Sequence, residues 1–223
     1  LSVPATFEIG KPPVANFQWK TECYEPGQSV AFTNTSTSTF GNITSSFWKI
    51  YKSTGYDTTS KTDIVYTFPA PDNHTIDLRV QTSYGCYKDT TKVFPLRPTI
   101  PLAGVTYSET FEDDPISWQS TKLSGTSTNS WTFGSPTGGF TNLPGSQKCW
   151  YTYIPYTNAP REQSWVSSPC FDFTGTSRPM LKLNIYRLFN ALRDGATIQA
   201  TADSGKTWNI IGQLRDGINW FNE

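Results

Sequence analysis

The chain holds one histidine, four cysteines and 18 acidic side chains in 223 residues, and these are the groups that could do chemistry. A serine–histidine relay needs a histidine as its base. His74 lies in Asp72-Asn73-His74-Thr75, a run of turn formers, and reads as an exposed turn residue. Metal-dependent hydrolysis draws on several histidines, which this chain cannot supply. Two carboxylates flanking a glycosidic bond are the remaining catalytic option. Glu109, Glu112, Asp113, Asp114, Asp194 and Asp203 form the pool in the second half. Asp194-Gly195 and Asp203-Ser204-Gly205 have a simpler reading as turns. The chain is therefore expected to carry no catalytic residues, and not to be an enzyme.

Calcium is the metal that the residue types suit. It is a hard ion that takes about six to eight oxygen ligands. Glu112, Asp113 and Asp114 concentrate carboxylate oxygens in one stretch, and Asn129 could add an amide oxygen. A structural calcium ion there and a merely solvated acidic turn both remain open. No other cofactor is expected. The cysteines form no C-x-x-C. They fall two to each half, Cys23 and Cys86, then Cys149 and Cys170. Pairing within each half is the simplest of the three possible connectivities. The two bridges would contribute about 4 and about 3 kcal/mol in the chain-entropy picture. Disulfides place the chain in an oxidising compartment, secreted or at a cell surface. Asn34-Thr35-Ser36, Asn42-Ile43-Thr44 and Asn73-His74-Thr75 match N-x-S/T and mark surface positions.

The elements that must position these groups read as strands. Lys+Arg and Asp+Glu are equal at 18, so no basic field attracts nucleic acid or an anionic membrane. No run approaches the roughly 20 apolar residues that span a bilayer. Aromatics make up 15% and charged residues only 16%, a balance that suits sheets with Thr/Ser outer faces. Val14–Trp19, Ser29–Thr33, Ser46–Tyr51, Ile64–Phe68, Thr75–Thr82 and Cys86–Phe94 alternate or run apolar between turn residues, the pattern of a small β-sandwich. Arg97–Gly104 (RPTIPLAG) reads as a stiff Pro-bearing joint. Beyond it, Tyr107–Phe111, Lys148–Tyr156, Ser164–Phe173, Met180–Leu188, Ala196–Ala202 and Thr207–Gly212 read as further strands. In Met180–Leu188, Met180, Lys182, Asn184 and Tyr186 alternate with Leu181, Leu183, Ile185 and Arg187. No helix is expected.

Two resemblances follow from motifs. PVANF (Pro13–Phe17), VAFTNTS (Val30–Ser36), VYTFPAPDNHTIDLRV (Val65–Val80) and GCYKDTTK (Gly85–Lys92) resemble a PKD domain, an immunoglobulin-like fold of bacterial surface proteins. The W-x-F-G-D-G of that family is replaced by Trp48-Lys49-Ile50-Tyr51-Lys52, which removes its acidic turn. W-x-x-G-x-P (Trp131–Pro136), C-W-x-T (Cys149–Thr152), S-P-C-F-D-F (Ser168–Phe173), Asp194-Gly195 and D-S-G-K-T-W (Asp203–Trp208) resemble the concanavalin-like jelly-roll modules of MAM and cleaved-adhesin type. That resemblance implies a structural calcium near the first strand of the module, where Glu112–Asp114 lie.

The expected fold is all-β. Residues 1–12 form a linker or the end of a preceding domain, 13–97 a PKD-like sandwich and 98–104 a linker. Residues 105–223 form a jelly roll lacking strands at its C-terminal end. Six or seven candidate strands stand there where a jelly roll needs about eight. A chain that begins at Leu1 reads as an excerpt of a longer exported protein. The resemblances imply a non-catalytic adhesion, recognition and spacer unit of a secreted or cell-surface bacterial protein, contacting a polysaccharide, a protein or other domains of its parent. The alternative is a pair of accessory domains of a secreted protease or glycosidase whose catalytic domain lies elsewhere.

Overall fold

The structure, a computed structural model, describes residues 10–113, 117–124, 131–136, 147–152, 163–186, 195–203 and 205–212. It is all-β, and the described residues contain no helix. The chain divides into two compact units, Leu1–Arg97 and Pro98–Glu223.

In the first unit the strands are β1 (Phe17–Trp19), β2 (Cys23–Tyr24), β3 (Ser29–Asn34), β4 (Ile43–Tyr51), β5 (Tyr56–Thr59), β6 (Ile64–Thr67), β7 (Asp72–Thr82) and β8 (Tyr87–Pro101). One sheet has the order β1-β3-β6, and a second runs β8-β7-β4-β5 with β2 also on β8. The β1–β3, β3–β6, β4–β5, β4–β7 and β7–β8 pairs are antiparallel. Side-chain alternation sets the register, because a one-residue slip would turn the apolar set to water. In β7, Ile76, Leu78, Val80 and Thr82 are buried while Arg79 and Gln81 are exposed. In β4, Trp48 and Ile50 are buried while Phe47 points outward.

Twelve buried apolar side chains fill the space between the sheets: Phe17, Val30, Phe32, Ile64 and Phe68 against Trp48, Ile50, Ile76, Leu78, Val80, Phe94 and Leu96. Each contributes about 1.5–3 kcal/mol relative to exposure. Trp48 is fully buried, and its indole N–H donates to the Lys61 carbonyl at 3.0 Å and the Thr62 carbonyl at 3.3 Å. The β5–β6 connection thus satisfies the one polar atom of the largest core side chain. Gly41 has φ 73°, and a Cβ there would lie 2.5 Å from the Tyr84 ring, so only glycine lets this loop close.

The stretch expected as a joint, Arg97–Gly104, instead continues β8 to Pro101. Proline's fixed φ is compatible with extended backbone, and its missing N–H is tolerated at strand ends and edges.

In the second unit the strands are β9 (Gln119–Ser124), β10 (Trp131–Gly134), β11 (Cys149–Thr152), β12 (Gln163–Ser167), β13 (Cys170–Asp172), β14 (Gln199–Ala200) and β15 (Asn209–Ile210). β9 pairs β12, β10 pairs β11 and β14 pairs β15, all antiparallel, while β13 runs parallel to Thr99–Pro101, the end of β8 that belongs to this second unit. The expected strand Ser164–Phe173 is broken at Ser168-Pro169, where proline removes a ladder donor. The expected strand over Met180–Leu188 is absent from the described part, 180–186. Met180 is 96% exposed and Ile185 64%, and alternation without a partner strand makes no ladder. Residues 213–223, including Gly217–Phe221, lie outside the described residues.

Candidate functional site

Alternate residues of the second sheet of the first unit point away from the core and form an outer face. The register aligns Phe47 with Arg79 and Asp89, and Lys49 with Asp77 and Thr91. Arg79 is held to Asp89 by two hydrogen bonds, Nε to Oδ1 at 2.6 Å and Nη2 to Oδ2 at 3.0 Å. Its guanidinium lies 4.9 Å from the centre of the Tyr87 ring. Asp77 accepts from the Tyr51 hydroxyl at 2.9 Å and from Thr91 Oγ1 at 2.7 Å. Lys49 Nζ sits 4.4 Å over the Tyr56 ring and 5.6 Å over Tyr51, whose rings are 6.0 Å apart. Phe47 is 42% exposed, Tyr56 54% and Tyr87 58%, against 0–3% for the core aromatics Phe17, Phe32, Trp48, Phe68 and Phe94. Tyrosine and arginine are held in place by neighbours while their faces stay open to solvent.

The hydrogen bond from Arg79 is the main cause that holds the Asp89 carboxyl below the usual carboxylate range, and the same bond raises Arg79. Asp57, at the β5 edge, accepts from Lys52 Nζ at 2.7 Å and from the Tyr66 hydroxyl at 2.5 Å, and these bonds lower its pKa. Burial, then the bond to Asp57, pushes Tyr66 up to about 12. A recess of about 290 Å³ opens beside Asp57, lined also by Ile50, Lys61, Asp63, Ile64 and Tyr66. Asp63 Oδ1 there accepts the Asn34 backbone N–H at 2.8 Å.

His74 is not the exposed turn residue that its neighbours in sequence imply. It lies in β7, half-buried, with its ring stacked 4.1 Å from Phe68. Its Nε2 is buried with no hydrogen-bond partner. Desolvation depresses its pKa, opposed by a hydrogen bond to the Ala70 backbone and by Asp72. The apolar alternation of Ile76, Leu78 and Val80 extends the strand back through the apparent turn formers.

The cysteines also depart from expectation. Cys23 and Cys170 are each disulfide-bonded, while Cys86 and Cys149 are free thiols, so neither Cys23–Cys86 nor Cys149–Cys170 forms. Allotting cysteines evenly between sequence halves carries no information on which of them the fold leaves as thiols. Burial raises the pKa of the Cys149 thiol.

The acidic residues of the second unit serve local structure. Glu109 accepts the Phe111 N–H at 2.7 Å, where Phe111 takes the left-handed φ of 61°. Glu112 accepts the Lys148 N–H at 3.2 Å, and its carbonyl accepts Lys148 Nζ at 2.7 Å. Asp203 accepts N–H groups of Lys206 and Thr207 and the hydroxyls of Thr201 and Thr207. These bonds, led by the Thr207 hydroxyl, pull its pKa to about 2 and close the β14–β15 hairpin. Asp114, Asn129 and Asp194 lie outside the described residues. Among the described residues no group of three or more His, Cys, Asp or Glu could hold a metal, and Glu112 and Asp113 alone do not make the oxygen cage that calcium needs.

The outer-face residues were not among the candidates read from sequence. Their signal was present in SFWKIY and TIDLRV, where each outward position is one step from a buried one. Pairing across strands, which places Tyr87 and Phe47 on the same face as Tyr56, is not visible along one segment.

No protein-family model matches the chain, and no curated protein matches it. Among solved structures, the chain is similar to the PKD1 domain of the Vibrio cholerae metalloprotease PrtV, at 26% identity, over 39% of this chain and 98% of that one, with a TM-score of 0.33. It is similar to the PKD1 domain of Vibrio anguillarum Epp at 25% identity, over 40% and 96%, with a TM-score of 0.33. A third similarity is to promiscuous carbohydrate-binding modules of the β-sandwich superfamily, at 16% identity, over 64% of this chain and 54% of that one, with a TM-score of 0.36.

Proposed function

We propose that the chain is a non-catalytic recognition and spacer module of a secreted or cell-surface protein. The observation that carries this reading is the outer face of the β8-β7-β4-β5 sheet, where exposed rings are held by Arg79, Lys49 and Asp77; the carboxylates agree with it. Asp57, Asp89, Asp172 and Asp203 all have lowered pKa values, each because hydrogen bonds favour the charged form. Among the described carboxylates with a shifted pKa none is raised, the shift that a general acid at neutral pH needs. These groups hold turns and cations in place, leaving a preorganised outer face as the feature available to a ligand. Disulfide bonding at Cys23 and Cys170 supports an oxidising, extracellular setting. Among the described residues no helix is long and apolar enough to cross a membrane. Calcium at Glu112–Asp114 is part of the proposal as a structural ion only. Chelation should then lower the melting temperature of the second unit and leave that of the first unchanged.

The test is the intact chain on an array of polysaccharides and extracellular proteins, run beside hydrolysis assays on polysaccharide, ester and peptide substrates. Specific binding without turnover is the expected result. Turnover lost on substitution of a single Asp or Glu would overturn the reading.

A further inference from the structure

We infer that the outer face of the β8-β7-β4-β5 sheet is a platform for an uncharged polysaccharide chain. This rests on the recognition reading and names its ligand class and its site. Three features converge on it.

The first is the arrangement of open rings. Strand spacing of about 4.8 Å and about 6.7 Å per two residues puts Tyr87 about 12 Å from Phe47, and Phe47 about 13 Å from Tyr51 at the Cα positions. Tyr56 sits directly opposite Tyr51. The rings therefore mark a diagonal track across four strands, longer than a single small ligand would use. Sugar rings present C–H faces that pack on aromatic faces.

The second feature is charge. Lys49 and Arg79 are matched on the same face by Asp77 and Asp89, with Arg79 bound to Asp89 through both oxygens. The face has strong local dipoles and no excess of either sign. A charged polymer would find no counter-field, whereas hydroxyl groups can both donate to the carboxylates and accept from the cations.

The third concerns what else could cover the face. A protein partner would dry its centre, where Arg79, Asp89 and Asp77 stand. Desolvating matched charges offsets much of the gain from apolar contact, and interface cores are depleted in charge. A glycan leaves the centre wet and keeps these hydrogen bonds. The rings are also fixed before binding, by Arg79 on Tyr87, by Lys49 on Tyr56 and by Asp77 on the Tyr51 hydroxyl, which lowers the ordering cost.

The experiment titrates the intact chain by calorimetry with cellohexaose, chitohexaose, xylohexaose and laminarihexaose, and with polygalacturonate as the anionic comparison. Tyr56→Ala, Tyr87→Ala and Phe47→Ala are set against Val65→Ala, an exposed residue of the other sheet. Thermal melts confirm that each variant is folded. At least one neutral oligosaccharide should bind, with affinity insensitive to salt. Each face variant should lose at least about tenfold, equivalent to about 1.4 kcal/mol, while Val65→Ala should not. Where a face variant melts early, Tyr87→Phe and Tyr56→Phe keep the ring and should retain binding. Glycan binding indifferent to the face variants overturns this assignment and leaves the recognition reading standing. Binding to polygalacturonate alone, or to a protein alone on the array, overturns the uncharged ligand in the same way. No binding to any polysaccharide or protein overturns both.

Discussion

His74 is the residue whose chemistry is most exposed to conditions. Its pKa is depressed in the fold because burial against Phe68 and Phe94 disfavours the charged ring, and Nε2 has no partner to receive a proton's charge. The unfolded chain holds the proton more tightly near the ordinary value of about 6.5. Stability from this site is therefore full above that pH and is lost as pH falls through it toward the lower folded value. The melting temperature of the first unit should drop on acidification through this window, and His74→Phe should flatten the drop. A wild-type melt that is flat from pH 7 to pH 5 would contradict the burial account. The cysteines give a second residue-scale expectation. Under non-reducing conditions alkylation should label Cys86 and Cys149 and leave Cys23 and Cys170 unlabelled. A Cys149–Cys170 peptide would refute the assignment. Neither feature was legible in sequence, because both depend on which strands neighbour each other and not on spacing along the chain.

At the scale of elements, Glu22 ties three segments together. Its carboxylate accepts the Trp19 indole N–H at 3.0 Å and pairs with Arg97 at 2.8 Å, and its carbonyl accepts the Arg97 N–H at 2.7 Å. Arg97 is 8% exposed, so removing Glu22 takes one ion-pair partner from a guanidinium with little water around it. Glu22→Ala should cost about 3 kcal/mol, the lower end for breaking a buried pair, because Glu22 is itself partly solvated. A denaturant melt shifted by less than a third of that would show the pair to be ornamental. Trp48→Ala should cost about 3–5 kcal/mol through the lost burial and the cavity left behind. The sandwich strands of the first unit were legible because apolar alternation with period two is dictated by burial of one face. The expected strand at Met180–Leu188 showed that alternation marks capacity to pair and not a partner. The Arg97–Gly104 stretch showed the converse, since prolines at a strand end do not prevent extension.

For the molecule as a whole, the first unit combines a dry aromatic core with an outer face of clamped, open rings and matched charges. The strands of the first unit were readable from their alternation, and the structure has an all-β sandwich at that place. In the second unit the described strands β9–β12, β10–β11 and β14–β15 pair two by two, in keeping with an all-β fold. The face itself was hidden from sequence because Phe47, Tyr56, Arg79 and Tyr87 come from four strands. The most direct measurement is an amide chemical-shift map of the isotopically labelled intact chain, titrated with the neutral oligosaccharide that binds best. The account predicts that shifts concentrate on Phe47, Lys49, Tyr51, Tyr56, Asp77, Arg79, Tyr87 and Asp89, and spare β1, β3 and β6. Shifts gathered on β1-β3-β6 or in the second unit, with this outer face silent, would contradict it.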